Sequence, residues 1–139
     1  LRGTVRAFSD ATRGTVEARL RRIAEGIAIA HNVETAVTFE PRYPATVNDP
    51  AVAAAAAGIA AGVWGEDGVI TEFEPSMASE DFAFMLDAKS GCYAWIGSGT
   101  ETPLHSPAFD FNDALIPLGA RYWIALAQSW PERHDQQTG

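Results

Sequence analysis

His105 stands in the stretch GSGTETPLHSPAFDFND, residues 97–113, preceded by apolar Leu104 and followed two places on by Pro107. Proline fixes φ and stiffens a turn, so the imidazole is held rather than carried on a loose tail. A neutral imidazole so placed can ligate Zn²⁺ or a similar ion, act as an acid or base, or simply hydrogen-bond its own loop. A metal needs several ligands and His105 brings none beside it, so on spacing alone the last role is favoured. A second polar group gathers in PSMASEDFAFML, residues 75–86, where Ser76, Ser79, Glu80 and Asp81 crowd the start of a short helix. Free backbone N–H groups at a helix start donate to such side chains, so capping accounts for them without chemistry. A Ser79–His105–Asp110 triad is conceivable, yet Ser79 lacks the sequence of a nucleophile elbow. Arg6 is a third candidate: a strand arginine can clasp a carboxylate through two parallel bonds, although an exposed edge position is the commoner outcome. His31, His134 and Cys92 carry no assigned chemistry, Cys92 being expected to pack in a buried strand.

The elements that must position these residues read as alternating helices and strands. Thr4–Phe8 is a strand; Ser9 and Asp10 offer capping oxygens; Val16, Leu20, Ile23, Ala24 and Ile27 then form an inward helical stripe, with Glu17 and Arg21 paired on another face. That helix is expected to end at His31 and Asn32, after which Val33, Thr35, Val37 and Phe39 alternate as a half-exposed strand. Asn48, Asp49 and Pro50 start an alanine-rich helix that runs to Val63 and stops at Gly65. A strand over Gly68–Glu74, a short helix through Phe82–Leu86 and a strand over Cys92–Ile96 follow. Asn112 and Asp113 open a last helix carrying Leu115, Leu118, Tyr122, Trp123, Leu126 and Ala127, which Pro131 is expected to end before a polar tail, residues 132–139. The pattern is an α/β layered one, and it puts the His105 loop at the carboxyl end of a strand, where open sheets place ligand sites.

Composition narrows the function classes. The chain has 139 residues, 47% hydrophobic and 20% charged, which is a globular composition. Its net charge of −8 argues against a nucleic-acid binder or a basic membrane-surface protein. No apolar run approaches the roughly 18 residues of a membrane span. The single cysteine makes a reducing cytoplasm the expected compartment. The charge is uneven: residues 1–45 hold seven arginines against five acids, while residues 46–139 hold three basic residues against thirteen acids. Such a step suggests two units joined near Pro44–Asn48. A start at Leu1 suggests either processing or a piece of something larger.

Taken together, GTVRAF at 3–8, PATVNDP at 44–50, MASEDFAFML at 77–86, YAWIGSG at 93–99 and PLHSPAFDFND at 103–113 resemble the metal-dependent aminoacylase and carboxypeptidase family. The resemblance is to its branch of hippurate hydrolases and indole-acetyl-amino-acid hydrolases. It implies that residues 1–45 are the last βαβ part of a ferredoxin-like lid that also dimerises. Residues 46–131 would be the C-terminal α/β part of a metallopeptidase catalytic domain. It further implies that His105 is a metal ligand, that Arg6 holds the substrate carboxylate, that Gly97 and Gly99 lie beside the substrate, and that Glu80 and Asp81 support the site. The cofactor implied is a divalent metal (Zn, Mn, Co or Ni), dinuclear only in the full-length protein. The partners implied are an N-acyl amino acid as substrate, the missing N-terminal part of the same protein, and a second copy of the lid. With one ligand of its own, the isolated chain is expected to be inactive. The alternative is a stand-alone, non-catalytic dimerisation or binding module derived from that family.

Overall fold

Four helices order the chain: α1 over Asp10–His31, α2 over Pro50–Trp64, α3 over Phe82–Ala88 and α4 over Leu115–His134, with a 3₁₀ turn at Glu66–Gly68. The computed structural model describes residues 1–134. Two compact units emerge. One holds Leu1–Val47 together with Glu74–Ser90; the other holds Asn48–Phe73 together with the chain from Gly91 onward.

In the first unit α1 begins where a capping oxygen is available, Ser9 Oγ accepting the Thr12 N–H at 3.2 Å. It ends at Asn32, which takes the left-handed conformation (φ 50°, ψ 49°) that asparagine tolerates, its N–H turned back to the last carbonyls. Glu17 and Arg21 pair across one turn at 2.7 Å. The stripe of α1 does not face a core, because no residue of this helix is buried and Leu20, Ile23 and Ile27 are exposed. The segment after α1 is tied to it by side chains: Arg21 Nη1 donates to the Val37 carbonyl at 2.8 Å, Thr35 Oγ1 to the Ala24 carbonyl at 3.3 Å, and Arg13 Nη1 to the Tyr43 carbonyl at 3.2 Å. Tyr43 also meets Phe84 of α3, ring centroids 5.8 Å apart, and Ala83 of α3 is fully buried.

In the second unit Asp49 caps α2, its Oδ1 accepting the N–H groups of Ala51 and Val52 at 2.9 and 3.1 Å, with Pro50 in the first turn. Ala56, Ile59 and Ala60 of α2 are buried, and α2 packs on α4. Trp64 and Tyr122 meet there, 5.3 Å between centroids. Asp49→Ala, which removes the cap, is expected to lower the stability of this unit by about 1 kcal/mol, checked as a lower midpoint in chemical denaturation followed by helical circular dichroism.

Several expectations need correction. The α/β fold, with a ferredoxin-like βαβ portion followed by an α/β portion, is not what forms: among the described residues there is no strand and no sheet. Some alternation is present, since Val5 and Ala7, and later Val37 and Phe39, are half-buried between exposed neighbours, but Val33 and Thr35 of the second expected strand are exposed. A strand, however, exists only where its N–H and C=O groups find a ladder, and two parallel segments joined by one helix make at best a marginal pair. Within the second expected strand the Val37 carbonyl accepts from the Arg21 side chain of α1. In α4 the half-buried positions through residue 130 are Leu115, Leu118, Gly119, Tyr122, Ala125, Leu126, Ser129 and Trp130, whereas Trp123 and Ala127, assigned to the inner stripe, are exposed. Helix α4 also continues through Pro131 to His134. The expected polar tail from residue 135 lies outside the described residues.

Candidate functional site

Two consecutive turns fix the backbone around His105. The Ser106 N–H donates to the Pro103 carbonyl at 2.9 Å, closing a four-residue turn with Leu104 and His105 at its centre. The Phe109 N–H then donates to the Ser106 carbonyl at 3.0 Å, and Pro107 sits where its fixed φ suits the second turn. Ser106 Oγ accepts the Ala108 N–H at 3.2 Å. None of these bonds uses the imidazole, and His105 is exposed. The ring is therefore presented by a stiff backbone without being consumed by it.

Gly97 and Gly99 precede this turn in the same unit. Gly99 has φ 69°, a left-handed conformation that glycine adopts at no steric cost, and Ser98 Oγ closes the bend by donating to the Thr100 carbonyl at 3.3 Å. A Cβ on Gly97 would meet nothing within 4 Å, so that position has open space before it. The chain leading to this loop is held from the α2 end. Asn48 Nδ2 donates to the Tyr93 carbonyl at 2.9 Å, the Tyr93 N–H donates to Asn48 Oδ1 at 2.8 Å, and the Asp49 N–H donates to the Gly91 carbonyl at 3.0 Å. From the α4 end, Asn112 Nδ2 donates to the Ser98 carbonyl at 3.2 Å. Asn48 and Asn112 read in the sequence only as helix-start residues. An asparagine before a helix looks the same whether its amide caps the helix or reaches a distant segment, so no local signal reveals the second use.

Glu80, Asp81 and Arg6 lie in the other unit. Glu80 Oε1 accepts the Phe82 N–H at 3.2 Å, and Asp81 occupies the N-cap position of α3 without a side-chain cap bond. The start of α3 is thus served by Glu80. Arg6 is exposed, between half-buried Val5 and Ala7. Ser79 shares this unit, whereas His105 and Asp110 belong to the other, so neither unit by itself holds the three residues of a triad.

Cys92 is half-buried, and burial pushes its thiol above the ordinary range. Burial, and then the proximity of Cys92, raise the Tyr122 hydroxyl as well. A thiol kept protonated is a poor nucleophile and a poor metal ligand, consistent with a packing role. Among the described residues no group of three or more His, Cys, Asp or Glu side chains is placed to hold a metal ion. No helix among them is long and apolar enough to cross a membrane.

Residues 6–129 match the model of peptidase family M20/M25/M40. The chain is 32% identical over 124 residues to a hippurate hydrolase of Campylobacter jejuni, covering 89% of this chain and 32% of that protein. It is 32% identical over 127 residues to an N-acetylcysteine deacetylase of Bacillus subtilis, covering 91% and 33%. It is 30% identical over 134 residues to the IAA-amino acid hydrolase ILR1-like 4 of Arabidopsis thaliana, covering 90% and 30%. The chain thus spans about a third of the length of these curated relatives. No solved structure matches it.

Proposed function

The chain belongs to the peptidase family M20/M25/M40, and from that premise we propose that it is the C-terminal part of a metal-dependent amidohydrolase that cleaves the amide bond of N-acyl amino acids. The observation that carries this reading is the similarity to the hippurate hydrolase over 89% of the chain, a stretch that includes most of the motif blocks. His105 is proposed as one metal ligand, supported by its exposure on a turn whose backbone bonds leave the imidazole unused. Arg6 is proposed to hold the substrate carboxylate, Gly97 and Gly99 to flank the substrate, and Glu80 and Asp81 to support the site, Glu80 by organising the start of α3. The proposed compartment is the cytoplasm.

The described residues do not fit a complete metal centre, since one imidazole stands without a cluster of partners and zinc sites use three or four protein ligands. The remaining ligands are therefore assigned to the rest of the parent protein, and no catalytic step is derived from this chain alone. The gene product that contains this chain in full is expected to release the amino acid from hippurate-type substrates, to stop on chelation, and to recover with Zn, Mn, Co or Ni. Absence of turnover across a panel of N-acyl amino acids overturns the proposal.

One observation favours a second reading, a non-catalytic dimerisation module: α1 buries no residue and exposes Leu20, Ile23 and Ile27 along one side. Under the second reading the purified chain is a metal-free dimer in sedimentation, and the gene product that contains it has no hydrolase activity.

A further inference from the structure

The glycine loop and its approach have no strand ladder, yet side chains grip them at both ends. Asn48 supplies a donor and an acceptor to the two backbone groups of Tyr93, at 2.9 and 2.8 Å, in a partly buried setting. This is the hydrogen-bond pattern of one bridge of a sheet, made by a side-chain amide. At the other end Asn112 divides its amide: Oδ1 accepts the Ala114 N–H at 3.1 Å just before α4, and Nδ2 donates to the Ser98 carbonyl at 3.2 Å. The two partners fix which end of the amide is which, because an N–H needs the oxygen and a carbonyl needs the nitrogen. Gly99, at φ 69°, lies so close that a Cβ there would sit 3.5 Å from Asn112 Nδ2.

The helix start at Asn112 asks only for an acceptor, which aspartate would provide equally well and with a favourable charge for a helix N-terminus. The donor half of the amide is unnecessary to α4 and is spent on Ser98. We infer that Asn48 and Asn112 are positioning residues of the proposed site: Asn112 sets the turn through Gly97–Gly99, and Asn48 anchors the segment that delivers it. The inference rests on the reading of Gly97 and Gly99 as residues beside the substrate. Orienting the Ser98 carbonyl orients the adjoining peptide units, and a displacement on the scale of 1 Å at a substrate-side loop is enough to weaken productive binding and lower kcat/KM about a hundredfold.

Asn112→Asp in the gene product containing the whole chain separates the two uses of the amide, since it keeps the acceptor for Ala114 and replaces the donor with a carboxylate facing a carbonyl. The expected result is an unchanged thermal midpoint with kcat/KM lowered roughly 10- to 100-fold and KM raised. Asn48→Asp, which likewise keeps its acceptor for the Tyr93 N–H, is expected to shift KM in the same direction. A merely structural role would lower the active fraction, reducing kcat at constant KM. An Asn112→Asp enzyme with wild-type KM and kcat/KM overturns the inference while leaving the proposed function standing. A wild-type protein that hydrolyses no N-acyl amino acid removes the functional reading, and the inference with it.

Discussion

Purified alone, the 139-residue chain is expected to leave N-acyl amino acids uncleaved and to retain no stoichiometric divalent metal. Ligand number decides this. A structural or catalytic zinc site uses three or four protein ligands, and no group of three or more candidate ligands is assembled among the described residues. A lone exposed imidazole is an ordinary weak site, occupied at millimolar rather than micromolar metal and stripped by dialysis. General base catalysis by such a group contributes at most about 10²–10⁴-fold, against the 10⁶-fold or more typical of enzymes. The parent protein and the isolated chain should therefore differ in hydrolysis rate by at least about a hundredfold at equal concentration. Amino-acid release measured beside metal analysis of the dialysed samples checks this. A chain that hydrolyses within tenfold of the parent rate, or keeps one metal per molecule, refutes the division of the site between this chain and the rest of the protein.

How much of this was legible in the residues depends on how local the governing interactions are. The start of α1 at Ser9, its end at Asn32 and the start of α2 at Asp49–Pro50 follow from caps, a left-handed asparagine and a proline in the first turn, all settled within a few residues. The Glu17–Arg21 pair is a one-turn neighbour and was equally readable. Strands are a different matter. Alternation suggests which side chains face inward, and of the second expected strand it did so at Val37 and Phe39 but not at Val33 and Thr35, which are exposed; the ladder that makes a strand depends on a partner segment elsewhere. The stripe of α4 failed at Trp123 because a large aromatic residue one place from Tyr122 satisfies hydrophobicity without satisfying the period, and the period placed Tyr122 inward. Pro131 removes one N–H donor, but the helix runs on through it to His134.

The candidate site shows the same divide. The turn at His105 was readable because proline and serine at fixed offsets specify it locally. Gly99 was readable as a flexible position, and its positive φ gives that flexibility a definite conformation. The Asn48–Tyr93 pairing was not readable, since it joins residues 45 positions apart and leaves no periodic trace. Membership in the family came from ordered motif blocks rather than from any one residue, and the match over residues 6–129 rests on the same stretch. Of the residues proposed for the site, Arg6, Glu80 and Asp81 lie in one compact unit and Gly97, Gly99 and His105 in the other.

His105→Ala in the gene product that contains this chain is expected to have the largest effect of any single substitution in it. If His105 is a ligand, its removal should cost more than the loss of an outer partner of a ligand, which lowers metal affinity or activity by about 10- to 100-fold. A drop in hydrolysis of more than about 100-fold, with metal content falling in parallel, is therefore expected. Folding should survive the change, because the turns around residue 105 are closed by the backbone of Pro103, Ser106 and Phe109 and by Ser106 Oγ, none of which needs the imidazole. His31 provides the matched control: it is also exposed, but it ends α1, where a basic side chain interacts favourably with the helix C-terminus. His31→Ala should leave metal content and turnover within twofold of wild type while lowering stability slightly. Equal effects of the two substitutions would mean that loss of any exposed histidine perturbs the protein. Full activity and metal content in the His105→Ala protein would mean that the imidazole only decorates its turn, and the ligand assignment would be withdrawn.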